Sequence, residues 1–383
     1  MHIKYGLNVL SLCLLVVSIP FLSYAGEFSI SDHSSVIGRN TGYPQGTTTN
    51  GLTETGNLDL IMETTVYAKN LELVSVDING EDIDGETFIG SITPLRLRYR
   101  PHSQFTLEGG VLLAYDFGDG SDFDEVEPIL RLVYQPREHI FVVAGTIIRT
   151  HSIHDAIYND TAAFMENNEQ GFQLRADLKH IKQDLWINWR VREEDNVSER
   201  FDSASTTQIR IGDFRFDGQL LLRHTGGQQN TEDMLEFNTA YLVGGSYGFF
   251  EGVTVPVLNV VEEMRIGAYF IGSSEDPDDQ SGLPASDGNG IEGSLMFRTR
   301  PAKNLNLHIF GSYFYGDNLV ARAGDPLYSA EEYIQIGSNF LFELAAGLKF
   351  EISGVAQLVD GTFVHTEQMY FSWGKGFTIF RGM

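Results

Sequence analysis

Leu95-Arg96-Leu97-Arg98-Tyr99-Arg100 alternates without a break. Residues two apart share one face of a strand, so a strand here has an oily side (Leu95, Leu97, Tyr99) and a side made entirely of guanidinium groups. The charged side is either the wet exterior of a soluble sandwich or the wet interior of a barrel whose exterior faces lipid. The same period returns in Phe172-Gln173-Leu174-Arg175-Ala176-Asp177-Leu178, in Gln208-Ile209-Arg210-Ile211, in Phe214 to Leu220 and in Asn304 to Ile309. Helical spacing is nowhere sustained for three turns, so the chain reads as nearly all strand.

Outward from that stretch, the joints come in two lengths. Short ones sit at Arg100-Pro101-His102-Ser103, Gln135-Pro136-Arg137-Glu138, His180 to Gln183, Gly212-Asp213 and Arg300-Pro301-Ala302-Lys303. Proline suits such places because it fixes φ and lacks the N–H a ladder needs. Longer joints, rich in Asp, Glu, Gly and Asn, run over 79–86, 118–125, 150–170, 193–201, 226–233, 273–289 and 317–330. Alternating short and long joints are what antiparallel strands with tight turns at one rim and loops at the other produce. The predicted strands are 57–68, 71–78, 86–100, 104–117, 125–135, 139–149, 169–180, 183–193, 202–212, 214–225, 233–247, 256–272, 289–300, 304–316, 331–344, 348–359 and 364–374. An eighteenth would come from 27–37, and the first and last strands must pair to remove the sheet's edges. The expected fold is therefore all-β, a transmembrane antiparallel β-barrel of about 16–18 strands with short periplasmic turns and long acidic extracellular loops.

The address agrees with this. Residues 1–25 read as a signal peptide, with Lys4 in a basic start, Leu7 to Leu22 apolar and Ser23-Tyr24-Ala25 as the cleavage site, leaving 26–383 as one barrel domain. The single cysteine lies inside that segment, so disulfides hold nothing together. Beyond residue 25 no apolar run reaches the roughly 18 residues a spanning helix needs. With 52 acidic against 26 basic side chains and a net charge of -26, the chain would repel a phosphate backbone, which excludes nucleic acid as a partner.

Together with the Pro-marked turns near Pro101, Pro136 and Pro301 and the aromatic ending Tyr370-Phe371-Ser372-Trp373 through Phe377 and Phe380, these features make the chain resemble a Gram-negative outer-membrane β-barrel of the porin-like channel kind. Such barrels commonly end in a phenylalanine read by the assembly machinery, whereas this chain runs on through Arg381-Gly382-Met383. The resemblance implies outer-membrane lipid and lipopolysaccharide around the wall, and hydrophilic solutes or a glycan inside it.

Parity then assigns the lumen. If Leu95, Leu97 and Tyr99 face lipid, Arg96, Arg98 and Arg100 face inward, as do Arg131, Arg175, Arg190, Arg210, Arg215 and Arg298, with Glu108, Asp177, Asp184, Asp217 and Glu292 as inward acids. Buried charge needs water or a partner, and charged rings bias which solutes pass. Trp186 turns inward beside Asn188 and Arg190, where it could stack on a sugar. The loop at 150–170, with His151, His154, Asp155 and the apolar Ile153, Ile157, Phe164 and Met165, is expected to fold into the lumen as a constriction.

His151-Ser152 offers adjacency without a nucleophile motif, and the loop offers no second cluster of metal ligands, so no catalytic, cofactor or metal site is expected. The acidic stretches at 116–125 and 275–279 do not match a calcium loop and would hold divalent ions loosely. The expectation is a non-enzymatic channel for passive passage of hydrophilic solutes. The alternatives are the exit barrel of an exopolysaccharide secretion assembly gated by periplasmic partner proteins, and a filled structural or receptor barrel.

Overall fold

The computed structural model describes residues 54–72, 76–78, 81–83, 85–118, 125–149, 151–159, 161, 168–194, 197–226, 236–249, 261–277, 285–302, 304–345 and 348–382. The signal segment, the stretch 27–37, Phe164 and Met165 lie outside the described residues.

The strands in chain order are β1 (Leu58–Glu72), β2 (Val76–Ile78), β3 (Glu81–Ile83), β4 (Glu86–His102), β5 (Phe105–Asp116), β6 (Glu125–Arg137), β7 (Ile140–Thr146), β8 (Gln170–Asp177) and β9 (Ile181–Val191). They continue with β10 (Glu199–Ile211), β11 (Phe214–Gly226), β12 (Glu236–Phe249), β13 (Val261–Pro277), β14 (Ser286–Ala302), β15 (Leu305–Asp317), β16 (Glu332–Ala345), β17 (Leu348–Val359) and β18 (Thr362–Phe380). All but β2 and β3 form one closed antiparallel barrel of 16 strands, in which β1 pairs with both β4 and β18. Closure leaves no unpaired edge, which a wall in lipid requires.

The expected strand 71–78 is not in the wall. β1 runs unbroken to Glu72, and among the described residues Val76–Ile78 pairs with Glu81–Ile83 alone, in a separate ribbon. Lys69-Asn70 looks like a joint in one dimension. In three it is strand, because Asn70 lies opposite both Thr87 of β4 and Glu367 of β18 and its side chain is hydrogen-bonded to each.

One rim has two-residue joints at Ser103-Gln104, Glu138-His139 and Gly212-Asp213, together with the longer stretch 250–260 between β12 and β13. The other rim carries the connections 147–169 and 318–331, and one exception, the two-residue turn Asp360-Gly361 between β17 and β18. Both of its residues have positive φ (47° and 83°), the type I′ geometry whose twist matches that of the strands it joins. This turn fixes the register of β18 from Val359↔Thr362 onward.

The lumen is filled at the long-joint rim. Ile147, Ile153, Ala156, Ile157 and Tyr158 enter from one connection, and Leu319, Ala323, Leu327, Tyr328 and Ala330 from the other. They pack on inward apolar wall residues such as Leu221, Leu242, Ile271, Phe314 and Val359. Each fully buried side chain of this kind contributes roughly 1.5–3 kcal/mol. The two connections also bond to each other, the Asn159 N–H donating to the Ala323 carbonyl (2.7 Å) and the Asp325 N–H to the Asp155 carbonyl (2.8 Å). Backbone groups inside a lumen need partners, and inward polar side chains supply them. Gln173 bridges the N–H and carbonyl of Ile148, Asn238 bridges Arg322 and Val320, and Gln219 accepts from the His154 N–H.

Candidate lipid-facing site

The residues expected to line a lumen fall into separate groups. Arg96 pairs with Glu63 and with Glu108 (3.3 Å), Arg98 with Glu108 (2.6 Å) and Arg131 with Glu108 (2.8 Å). Arg131 also donates to the carbonyls of Thr146 and Ile147, which ties the wall to the start of the inserted connection. Arg100 bonds to the Ser103 carbonyl at the short-turn rim. Arg175 pairs with Asp177 (3.4 Å), Arg190 with Asp202 (3.8 Å) and Arg298 with Glu263 (3.0 Å). Arg210 donates to the Gly212 carbonyl (3.4 Å), and Arg215 is buried in β11.

His151, His154 and Asp155 do not converge. His151 has both ring nitrogens engaged, Nδ1 at 3.0 Å from Asp184 and Nε2 at 2.7 Å from Glu169. Burial alone would lower its pKa, but Glu169 and Asp184 outweigh it and raise it to about 9. Burial would raise Glu169, yet His151 and Arg149 pull it down to about 2. His151 is therefore a fixed cation between carboxylates, with no lone pair for proton abstraction. His154 is likewise occupied, its Nε2 at 3.2 Å from Glu292 and its Nδ1 taking the Ala156 N–H. Trp186 is 1% exposed, its ring stacked on His151 (4.4 Å) and met edge-on by Tyr158, so neither face is open to a sugar.

A different constellation lies on the outer wall. On β1, β4 and β18 the positions alternating with buried inward residues are Asn70 and Glu72, Thr87 and Ile89, and His365, Glu367 and Met369. The Asp360-Gly361 turn and the pairings that follow bring these side chains into a relay. The Thr87 hydroxyl donates to Asn70 Oδ1 (2.7 Å), and Asn70 Nδ2 donates to Glu367 Oε2 (3.3 Å). His365 Nε2 lies 3.1 Å from Glu367 Oε1 and 3.2 Å from Glu72 Oε2. Phe363 stacks on the imidazole (5.9 Å). The Nδ1 of His365 bonds to none of the described residues, so one ring nitrogen is held and the other is available.

An open groove of about 460 Å³ adjoins the relay, with Asn70, Thr87 and Glu367 at one end and Ile89, Phe340, Ile352 and Met369 along its length. Its floor is low because Ala68 and Gly354 present almost no side chain there. Outward His224 of β11 makes a contrast. It is 8% exposed, covered by Phe201 (4.9 Å) and Phe237 (4.5 Å).

None of the relay was picked out from sequence. The signal was present, since Val364-His365-Thr366-Glu367-Gln368 places polar residues on both faces of a strand, where lipid-facing parity calls for apolar ones.

Solved structures with this architecture are outer-membrane proteins. The loop L8 deletion mutant of OmpT from Vibrio cholerae is 12% identical, with a TM-score of 0.50 over 84% of this chain and 100% of that one. The trimer form of in-vitro folded OmpT from the same organism is 10% identical at the same TM-score and coverage. An anion-selective porin from Comamonas acidovorans is 10% identical, with a TM-score of 0.48 over 84% of this chain and 99% of that one. The class is thus a Gram-negative outer-membrane β-barrel. Comparison with curated proteins gives no match. A family model described as lipid A 3'-O-deacylase-type matches residues 49–375, and the chain belongs to that family. This overturns the expectation of a non-enzyme. That expectation looked for a nucleophile and base in the loop at 150–170, whereas His365 and its carboxylates stand on the opposite side of the wall.

Proposed function

We propose that this protein hydrolyses an ester-linked acyl chain of an outer-leaflet lipid of the lipid A type, working from the outside of a stoppered barrel. The observation that carries the reading is the location of the relay. Thr87, Asn70, Glu367, His365 and Glu72 face outward, the first three lining the end of an apolar groove, while His151 and His154 of the inserted connection are held by carboxylates. In this reading the long-joint rim is extracellular, which sets the relay at the level of outer-leaflet headgroups.

The chemistry is addition of water to the ester. His365, its Nε2 steadied by Glu72 and Glu367, takes a proton from water on Nδ1 while the water oxygen bonds to the acyl carbon. The remaining N–H of Asn70 stabilises the oxyanion. The carbon–alkoxide bond then breaks and His365 returns the proton to the leaving oxygen, giving a free fatty acid and a lipid with one new hydroxyl. Positioned acid–base catalysis of this kind contributes typically ~10²–10⁴-fold. The test is mass spectrometry of lipid A after incubation with the protein in vesicles, with loss of one acyl chain expected. No acyl loss, or loss unchanged in His365→Ala, would end the proposal.

One observation favours a second reading. The stopper leaves a narrow cavity of about 40 Å³ against Glu63, Arg96, Arg131, Arg149 and Glu169. An arginine-lined bypass widened from this gap would pass small hydrophilic solutes. Discrete conductance steps in planar bilayers, shifted toward cations by replacing Arg96, Arg98 and Arg131 with Ala, would support it. Silence at every voltage would remove it.

A further inference from the structure

The outer groove passes over a glycine that neither the backbone nor the packing requires. Gly354 sits inside β17, where a glycine weakens a strand and often marks a place where something else approaches the backbone. Its φ is not among the positive values, so any residue could adopt its conformation. A Cβ placed on Gly354 would meet nothing within 4 Å. Gly110 and Gly171 are different, because a Cβ there would strike the carbonyl oxygens of Leu95 and Ile187 at 2.0 Å, so those glycines serve fit between strands.

Gly109, Gly218 and Gly293 share the open space of Gly354. Their cross-strand neighbours are Leu97 and Leu130, Thr207 and Val243, and Ala268 and Tyr313, none of which carries a carboxylate or imidazole. Gly354 instead lies directly opposite Glu367. Ile352, Met369 and Phe340 flank it in the same groove. The bare backbone thus joins the polar head of the groove to its apolar length.

Resting on the hydrolase reading, we infer that Gly354 is the specificity-determining residue of the outer site, leaving a trough for one acyl chain of a membrane lipid whose ester is held at Asn70 and His365. The chain lies over Gly354 between Ile352, Met369 and Phe340. A side chain at this position displaces nothing in the protein and intrudes only on the lipid.

The test uses the full-length protein in phosphatidylethanolamine vesicles containing lipid A whose ester-linked acyl chain ends in a photoreactive diazirine. Illumination is expected to label Ile352, Met369 and Phe340 in the unmodified protein. Labelling should fall about tenfold in Gly354→Leu, less in Gly354→Ala, and not at all in Gly293→Leu, the size of effect a filled apolar pocket gives. Gel mobility with and without heating checks that each variant is folded. With esters of graded chain length, Gly354→Leu should cleave the shortest normally and the longest about tenfold more slowly. Equal labelling in the unmodified protein and Gly354→Leu overturns the inference whatever the rates, as does an unchanged chain-length profile in an active Gly354→Leu. Labelling lost as expected in an inactive protein retains the trough and discards the hydrolase reading.

Discussion

His151 and His365 each meet two carboxylates, and the difference between them separates the inside of this barrel from its outside. Glu169 and Asp184 take one ring nitrogen of His151 each, within a buried cluster sealed by Trp186 and Tyr158. Glu72 and Glu367 share a single nitrogen of His365, on an open wall. The first arrangement holds a charge in place and fastens a stopper; the second orients a ring and leaves one nitrogen open. Two acids around an imidazole therefore say little until it is known which nitrogens they occupy.

The comparison breaks most readily at His365. Replacement with Ala should lower acyl release by about 10²-fold or more, while His151→Ala leaves the rate unchanged, both read by mass spectrometry of lipid A. Asn70→Ala removes the proposed oxyanion donor and the hold on Glu367, with an expected loss on the order of 10²-fold in kcat. The inner histidine should answer in stability instead. Glu169→Gln leaves the buried His151 cation short of a partner and should cost about 3–5 kcal/mol in urea unfolding from vesicles, with catalysis per folded molecule intact.

A pH titration sharpens the same contrast. The raised His151 contributes stability that is fully present below its ordinary pKa of 6.5 and is lost as pH climbs through about 9. The depressed Glu169 contributes stability present above its ordinary 4.5 and lost as pH falls through about 2. Unfolding resistance should therefore be greatest between about 4.5 and 6.5 and decline toward pH 9. His151→Gln should flatten the alkaline decline. The smallest effect is expected at the hairpin, where Gly361→Ala forces a Cβ into positive φ (83°) and should cost about 1 kcal/mol.

Alternation made the wall legible, because lipid outside and charge inside impose period two, and Leu95 to Arg100 displays it fully. The stopper was less legible. Leu220-Leu221-Leu222 and Tyr241-Leu242-Val243 are apolar on both faces, the mark of a strand buried on both sides, and Leu221 and Leu242 do meet the inserted connections. Which joints supply the filling is a long-range matter that no local pattern encodes. The outer site was hidden for a related reason. Asn70, Thr87 and His365 come from three strands, and only pairing registers set by turns bring them together.

The Asp360-Gly361 pair carries one more consequence. Successive strand residues point to opposite sides, so inserting or removing a single residue between this pair and His365 would send the imidazole into the bore and put Thr366 against hydrocarbon. In any sequence aligned to this one, counting from the Asp-Gly step to the histidine, odd or even, therefore sorts chains able to present that base to lipid from chains that have turned it away.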